Sequence, residues 1–382
     1  MRRRALVLAL AAAAVLAQAA CGNRESIRGG GATVGKTLTV YSSLPSPAQG
    51  SARDMVDGQK LALAEADGKA GDYTINFSSL DEAGDGARRR TRRAAEAARI
   101  AMADTQTAAV IGTTGSQGAR ASIPLLNEAG FLHVSLGAGY PGFTGRLLPD
   151  EPERWFPAGG RNFARLVGDD RAQAPALVRA AGTRRVVVEA EGGDDGAALA
   201  AEIRRAAAAA GVKVVSEPGR DAAVIYAGED PLAAAEVAES VSRETPGTRV
   251  VLPDAAVRSG VEDRLKGPAA RRAVLVSSAP EPGSTPALQE FEAAFERAYE
   301  RRPGPYAALG HAAMETVLDA LDRAAADDAA GQRRRVLREY FDGGTRDTVA
   351  GPLRVLGSGA VASPRFTAFR LAGGHRGYLS AP

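Results

Sequence analysis

Residues 108–135, AAVIGTTGSQGARASIPLLNEAGFLHVS, predict a strand, a helix and a second strand in succession. The apolar run at 108–111 ends at Gly112, residues 118–128 have helical character, and a second apolar run at 131–135 follows directly. Short apolar runs on either side of a helix are typical of parallel strands joined by a crossover helix. This segment therefore predicts a βαβ unit.

The same alternation extends in both directions along the chain. Strands are predicted at 37–42 and 73–80, and helices at 52–66 and 87–103 follow them. A stretch rich in Pro and Gly at 141–160 interrupts the pattern, which then restarts. The second set comprises helices at 172–181, 196–210, 232–243, 286–301, 306–326 and 333–341 and strands at 185–189, 212–215, 222–226, 249–252, 273–277, 353–356 and 366–371. The sequence thus predicts an α/β protein with mainly parallel sheets in two lobes and a cleft between them.

The first 21 residues have the pattern of an export signal. Three arginines at 2–4 form a positive head, and an apolar run at 5–17 precedes small residues and Cys21. The run is too short to span a bilayer comfortably and fits a secretory signal. Cys21, the only cysteine, suits a bacterial lipobox, in which the lipidated thiol anchors the mature chain through a polar tether at 22–36. Ordinary signal cleavage at the A-x-A motif of residues 17–19 is the alternative, since Gln18 stands where a lipobox usually has Leu.

Composition argues against several classes of function. The chain has 48 basic and 45 acidic residues, a net charge of +3, which gives no electrostatic reason to expect nucleic acid as a partner. One cysteine allows neither an internal disulfide nor a thiolate metal cluster. The three histidines are too scattered for a metal site, and no catalytic constellation is evident, so neither an enzyme nor a cofactor is predicted. The phosphate-loop pattern at 30–37 lacks a preceding strand and a following helix and is rejected.

Two loops after neighbouring strands and one loop in the second lobe carry candidate site residues. The loop GTTGSQG at 112–118 leads into a helix, and Ser116 either caps that helix or presents its hydroxyl to an anion such as a carboxylate. The loop SLGAGY at 135–140 leaves the next strand in the same way. Asp254 either begins a helix or supplies the fixed negative charge that an ammonium group needs in a desolvated cleft.

Segments spread along the chain carry a family resemblance. They include VYSSLP at 40–45, MVDG at 55–58, AVIG at 109–112, IPLLNEAG at 123–130 and YAALGHAAM at 306–314. Their order and spacing resemble the leucine/isoleucine/valine-binding branch of the type I periplasmic binding proteins. The resemblance implies two Rossmann-like lobes joined at a hinge crossed by three strands. The first lobe would comprise residues 37–158 and 279–362, and the second lobe would comprise residues 159–278 and 363–382.

The resemblance also implies a ligand site. Ser116 matches a residue that binds the ligand carboxylate, and Ala138 matches one whose backbone assists it. Gly139 stands where the family often has Thr. Asp254 stands where an acidic residue pairs with the ligand α-ammonium. Gln117, next to Ser116 in the same loop, belongs to the same predicted site.

Three positions depart from the family pattern. Tyrosines that line the pocket in the family correspond here to Ser51, Asp195 and Glu229. An apolar ligand side chain would therefore lose its aromatic wall. Asp195 and Glu229 either suit a cationic or more polar solute or stand in solvated loops without a ligand role.

The function implied by the resemblance is solute binding for an ABC importer. The protein would be lipid-anchored outside the cell and would deliver an amino acid or amino-acid-like solute to membrane permease subunits without converting it chemically. The first alternative is an extracellular sensing domain coupled to a signalling partner. The second is a solute of another kind, namely an amide, urea or a cation.

Overall fold

The structure is a computed structural model that describes residues 36–45, 50–82, 87–219, 221–324, 329–372 and 375–379. The signal predicted at 1–21, with Cys21, and the tether as far as residue 35 lie outside these residues. Within the described ranges, no helix combines the length and the hydropathy needed to cross a membrane.

Helices cover both lobes and the connections between the strands. They are α1 (Gly50–Glu65), α2 (Ala87–Ala103), α3 (Ser116–Ala129), α4 (Asp170–Ala181), α5 (Asp194–Ala209), α6 (Pro231–Glu244), α7 (Asp254–Arg258), α8 (Gly267–Arg272), α9 (Pro286–Tyr299), α10 (Ala307–Arg323) and α11 (Ala329–Asp342). Helices α1, α2, α3, α10 and α11 pack in the first lobe, and α4 to α8 pack in the second.

The first lobe is built on a six-stranded sheet. Its strands are β1 (Thr37–Leu44), β2 (Lys69–Ala70), β3 (Tyr73–Asp81), β4 (Thr107–Gly112), β5 (Leu132–Ser135) and β6 (Phe163–Arg165). They lie in the order β2-β3-β1-β4-β5-β6, and every neighbouring pair is parallel except the short β2–β3 pair. Strands β1 and β4 are buried almost throughout, as expected for parallel strands covered by helices on both faces.

The second lobe is built on a seven-stranded sheet. Its strands are β7 (Arg185–Ala190), β8 (Lys213–Val214), β9 (Ala222–Ala227), β10 (Arg249–Leu252), β11 (Ala273–Ser277), β14 (Thr367–Ala372) and β15 (His375–Leu379), while β12 (Thr345–Thr348) and β13 (Gly351–Arg354) form a separate hairpin. The order is β15-β14-β11-β10-β9-β7-β8. Only the β11–β14 and β14–β15 pairs are antiparallel.

The chain passes between the lobes three times. The first crossing follows Arg165, because β6 belongs to the first sheet, so the boundary predicted at 158 is corrected to a later position. The strand β6 has only three residues and follows a Gly-rich stretch, which left no periodic signal for it. The other crossings fall between β11 and α9 and between β13 and β14, around the boundaries predicted at 278 and 362.

The βαβ unit predicted at 108–135 is present and sets the position of the site. Strand β4 ends at Gly112, and α3 begins four residues later at Ser116. The helix ends where Gly130 adopts a left-handed conformation (φ 71°) and donates its N–H to the carbonyls of Leu126 and Asn127. Strand β5 then pairs in parallel with β4, which brings the loops after both strands to the same edge of the sheet.

Candidate functional site

The carboxyl edges of the two sheets face each other across a cleft. In the first lobe, the loops after β4 and β5 carry Ser116 and Ala138. In the second lobe, Asp195, Glu229 and Asp254 follow β7, β9 and β10 respectively. Hydrogen bonds connect the two sets of loops directly, from Ser116 to Glu229 and from Arg258 to Gly137. Ligands of such sheets bind beyond the carboxyl ends of the strands, so this cleft is the candidate site.

Ser116 contacts both lobes. Its side chain is buried, and its Oγ accepts the Tyr140 N–H at 3.1 Å. Its own N–H donates to Oε1 of Glu229 at 3.0 Å, across the cleft. The hydroxyl does not cap the helix, because Gly115 holds the N-cap position of α3 and makes no side-chain bond there. A carboxylate thus lies at the N-terminus of α3, where the helix favours negative charge.

Glu229 supplies that carboxylate from the second lobe. Burial and the nearby charge of Asp195 raise the pKa of Glu229, and the hydrogen bond from Ser116 opposes this rise. The backbone N–H of Glu229 donates to Oε2 of Glu191 at 2.6 Å, which fixes the loop after β9. Glu229 therefore lies in the cleft, and its carboxylate contacts the protein itself.

Asp254 lies in the cleft wall with its carboxylate fully engaged. One oxygen accepts from Ser278 N–H at 2.7 Å, from Ser278 Oγ at 2.9 Å and from Tyr306 Oη at 2.8 Å. The other pairs with Nη1 of Arg258. The backbone N–H of Asp254 donates to Oε1 of Gln173 at 2.7 Å. Asp254 begins α7, and its charge is matched within the chain.

Arg258 connects Asp254 to the first lobe. Its Nε and Nη2 donate to the carbonyl of Thr114 at 3.2 Å and 2.9 Å, and Nη2 also donates to the carbonyl of Gly137 at 2.8 Å. Burial lowers the pKa of Arg258, but Asp254, Tyr306 and Glu229 together outweigh burial and leave that pKa raised. Arg258 is thus a fixed cation that spans the cleft.

Asp195 makes an ion pair between the lobes. Its Oδ1 lies 2.5 Å from Nη2 of Arg120, which projects from α3. The Arg120 guanidinium also stacks 4.0 Å from the centroid of the Tyr140 ring. Burial raises the pKa of Asp195, and Arg120 opposes this rise. Asp195 therefore does not stand in a solvated loop.

Ala138 and Gly139 contribute main-chain contacts. The Ala138 N–H donates to Oγ of Ser135 at 3.0 Å, and its carbonyl accepts from Nη1 of Arg165 at 2.7 Å. The Gly139 carbonyl accepts the Asp170 N–H at 2.9 Å. The Asp170 carboxyl packs against Gly139 where a Cβ atom would collide with it. The absence of a Thr side chain at position 139 thus leaves the space that Asp170 occupies.

A cavity of about 420 Å³ adjoins these contacts within the cleft. Ser51, Glu82 and Gln117 line it from the first lobe, and Glu229 and Arg258 line it from the second. Burial raises the pKa of Glu82 to about 8, opposed by a hydrogen bond from Ser43. The Gln117 Oε1 atom is buried and has no hydrogen-bond partner among the described residues. The cavity can therefore accept a small polar organic solute.

Sequence reasoning missed several charged residues of the cleft. Arg258 lies one helical turn after Asp254, and Arg120 lies one turn after Ser116, so the i, i+4 spacing was a usable signal for both. Asp170 carried no such signal. Within the described ranges, no cluster of His, Cys, Asp or Glu is arranged to hold a metal ion.

Two Rossmann-like lobes that enclose such a cleft define the type I periplasmic binding protein fold. Residues 37–223 match the family model described as periplasmic binding protein, and this part of the chain belongs to that family. The fold and the family predicted from the sequence are thereby confirmed. Members of this family bind solutes, and the family is not a class of enzymes.

Solved structures agree with the fold at low sequence identity. An ABC transporter substrate-binding protein from Desulfitobacterium hafniense, in complex with Leu, matches at 17% identity over 90% of this chain and 100% of its own, with a TM-score of 0.74. The leucine binding protein LivK from Thermotoga maritima matches at 18% identity over 90% and 98%, with a TM-score of 0.73. A solute binding protein from R. palustris, in complex with benzoate, matches at 18% identity over 90% and 95%, with a TM-score of 0.68. No curated protein matches the sequence significantly.

Proposed function

We propose that the protein is the extracytoplasmic solute-binding subunit of an ABC importer and binds an amino acid or amino-acid-like solute between its lobes. The observation that carries this proposal is the cavity of about 420 Å³ between the two carboxyl edges, with polar and charged groups from both lobes in its walls. The structural relatives support it, since their names describe transporter proteins in complex with Leu or benzoate.

The two lobes give this function a mechanism. A solute that touches both lobes binds the closed form more tightly than the open form and therefore shifts the equilibrium between them. A shift from almost fully open to almost fully closed needs about 5.5 kcal/mol of differential affinity. Permease subunits in the membrane then recognise the closed shape. No step in this cycle changes the solute chemically.

A thermal-shift screen tests the function. The solutes are amino acids, short carboxylates, amides, urea and polyamines, and a solute at 100 times its Kd stabilises the folded state by about 2.7 kcal/mol. Ser51→Trp places a large ring in the cavity and should abolish the shift, whereas Lys213→Ala on the far edge of the second sheet should retain it. The function is rejected if no solute in the screen raises the Tm of the wild-type protein.

We further propose that Cys21 is lipidated and anchors the exported chain to the membrane. The positive head, the short apolar run and the single cysteine after small residues support this proposal. Cys21→Ala should move the protein from the membrane fraction to the soluble extracytoplasmic fraction. Fractionation that does not change with this substitution would favour ordinary signal cleavage instead.

A further inference from the structure

Arg258 holds a position that a solute cation would otherwise take. Its side chain is buried and pairs with Asp254, while its remaining donors reach the carbonyls of Thr114 and Gly137 in the opposite lobe. A cation that pairs with Asp254 and is bonded to the far wall of the cleft has the contacts expected of a bound ammonium group. Here the chain itself supplies that cation.

Glu229 holds the complementary anionic position. Its Oε1 accepts the Ser116 N–H at the N-terminus of α3, where a solute carboxylate would be favoured. Ser116 and Glu229 are 113 positions apart in sequence and lie on different lobes. Arg258 and Glu229 together present a guanidinium and a carboxylate to the first lobe. The pair corresponds to the two charged ends of an α-amino acid.

Glycines in the first lobe make room for these side chains. A Cβ atom at Gly137 would collide with the Arg258 guanidinium, and one at Gly115 would lie 2.9 Å from Oε2 of Glu229. Neither glycine requires a positive φ angle, so backbone conformation does not explain why glycine is needed there. The close approach of the side chains from the second lobe does explain it.

We propose that Arg258 and Glu229 form an internal latch that closes the cleft without a solute and excludes α-amino acids from Ser116 and Asp254. The latch consists of the Arg258 contacts with Thr114 and Gly137 and of the Glu229 contact with Ser116. This inference rests on the proposed function and narrows its solute class. The solute is amino-acid-like in size, but it does not rely on Asp254 for an ammonium group.

Two effects exclude α-amino acids from Ser116 and Asp254, namely repulsion between like charges and competition from Glu229. An ammonium group that approaches Asp254 meets the Arg258 guanidinium, and two like charges in contact repel each other strongly. A solute carboxylate must displace Glu229, which is tethered nearby and therefore competes at high effective concentration. A solute can still bind in the adjoining cavity beside Ser51, Glu82 and Gln117.

Distances between spin labels on the full chain test the closure. The labels are placed at the exposed positions Glu128→Cys on α3 and Glu236→Cys on α6, with Cys21→Ser in every labelled protein. The solute-free wild type should show one short distance. Replacing both latch residues, Glu229→Ala with Arg258→Ala, should give a longer and broader distribution. The latch is refuted if the two solute-free distributions coincide.

A matched control isolates the latch from a general change of charge. Asp263 and Arg264 line the same cavity from the second lobe and are exposed, so Asp263→Ala with Arg264→Ala removes the same charges without removing a contact between the lobes. This control should keep the short distance. Gly137→Ala tests the Arg258 contact while Asp254 keeps its partner, and it should also lengthen the distance. Gly145→Ala should leave the distance between the labels unchanged, because a Cβ atom there would lie 3.6 Å from the nearest atom.

Calorimetric titration with L-leucine tests the exclusion. The wild type should bind L-leucine at least about tenfold more weakly than the protein without both latch side chains, since each removal frees a charge-assisted hydrogen-bonding group for the solute. Equal or tighter binding by the wild type refutes the latch.

The failure of the latch and the failure of the proposed function can be told apart. A thermal-shift screen without any stabilising solute, combined with a short distance between the labels in the solute-free protein, would reject the proposed function and leave the latch standing. A stabilising solute, combined with a long distance between the labels in the solute-free protein, would reject the latch and support the proposed function.

Discussion

At the scale of single residues, Asp254 is a buried carboxylate whose desolvation is offset by hydrogen bonds and an ion pair. It accepts hydrogen bonds from Ser278 and Tyr306 and pairs with Arg258. Removal of one partner from a buried ion pair leaves the other charge uncompensated, which usually destabilises a protein by about 3 kcal/mol or more.

We therefore expect Asp254→Ala to lower the free energy of unfolding by about 3 kcal/mol in urea denaturation. Asp263→Ala, at an exposed position on the same side of the cleft, should change it by less than about 0.5 kcal/mol. A similar stability for both variants would show that the Arg258 pair contributes little.

His311 gives a pH-dependent contribution to stability. Burial lowers the pKa of His311, but the carboxylates of Glu315, 3.6 Å from Nδ1, and of Glu65, 2.8 Å from Nε2, together outweigh burial, so the pKa is raised above its ordinary value of about 6.5. The charged ring therefore favours the folded state. Its contribution is complete below about pH 6.5 and is lost as pH rises through the raised pKa.

His311→Gln should remove this contribution of His311 to the pH dependence of stability. Between about pH 6 and pH 9, the wild type should lose more free energy of unfolding than the variant, because only the wild type has the ring to deprotonate. The measurement is urea denaturation of both proteins at a series of pH values. Parallel stability curves across this range would contradict the assignment.

At the scale of elements, α1 and α10 pack closely against each other in the first lobe. A Cβ atom at Gly58 on α1 would collide with the Ala307 carbonyl, and one at Gly310 on α10 would collide with the Met55 carbonyl. Reciprocal glycines let the two helix backbones approach directly. This contact holds the C-terminal helices of the chain against its N-terminal part.

We expect Gly310→Ala to cost about 1–3 kcal/mol of stability by overpacking, despite the higher helix propensity of alanine. Gly192→Ala is the control, because that glycine has no atom near its Cβ position and no positive φ angle. Denaturant midpoints for both variants provide the measurement. A Gly310→Ala protein as stable as the wild type would mean that the helices can separate slightly without cost.

Most helices and long strands could be predicted, whereas several short strands could not. The strands predicted at 37–42, 73–80 and 222–226 appear as β1, β3 and β9 because an apolar run carries its own signal. Strands β2, β6, β12 and β15 have two to five residues and were missed. Such strands form because a neighbouring strand offers hydrogen bonds, and a local pattern does not record that neighbour.

In the molecule as a whole, the first and the third crossings between the lobes lie against each other. A Cβ atom at Gly168, in the first crossing, would lie 2.7 Å from Cβ of Pro364 and 2.8 Å from the ring of Phe366, in the third. We therefore expect each of these two connections to constrain the motion of the other when the lobes open or close.

Gly168→Val should disturb that contact. We expect a loss of about 1–3 kcal/mol in stability from overpacking and a changed distance between labels on the two lobes. Gly357→Val is the control, since no atom lies near its Cβ position. An unchanged distance in Gly168→Val would show that the crossings act independently.

The two α/β lobes and the loops that carry Ser116 and Asp254 could be predicted from the sequence. These features depend on local periodicity and on residue types at strand ends, which a linear pattern records. The contacts that those residues make follow from the fold. Ser116 meets Glu229, and Arg258 reaches Thr114 and Gly137, through contacts between residues more than a hundred positions apart. Such pairings depend on how the two sheets face each other, and no local pattern encodes that geometry.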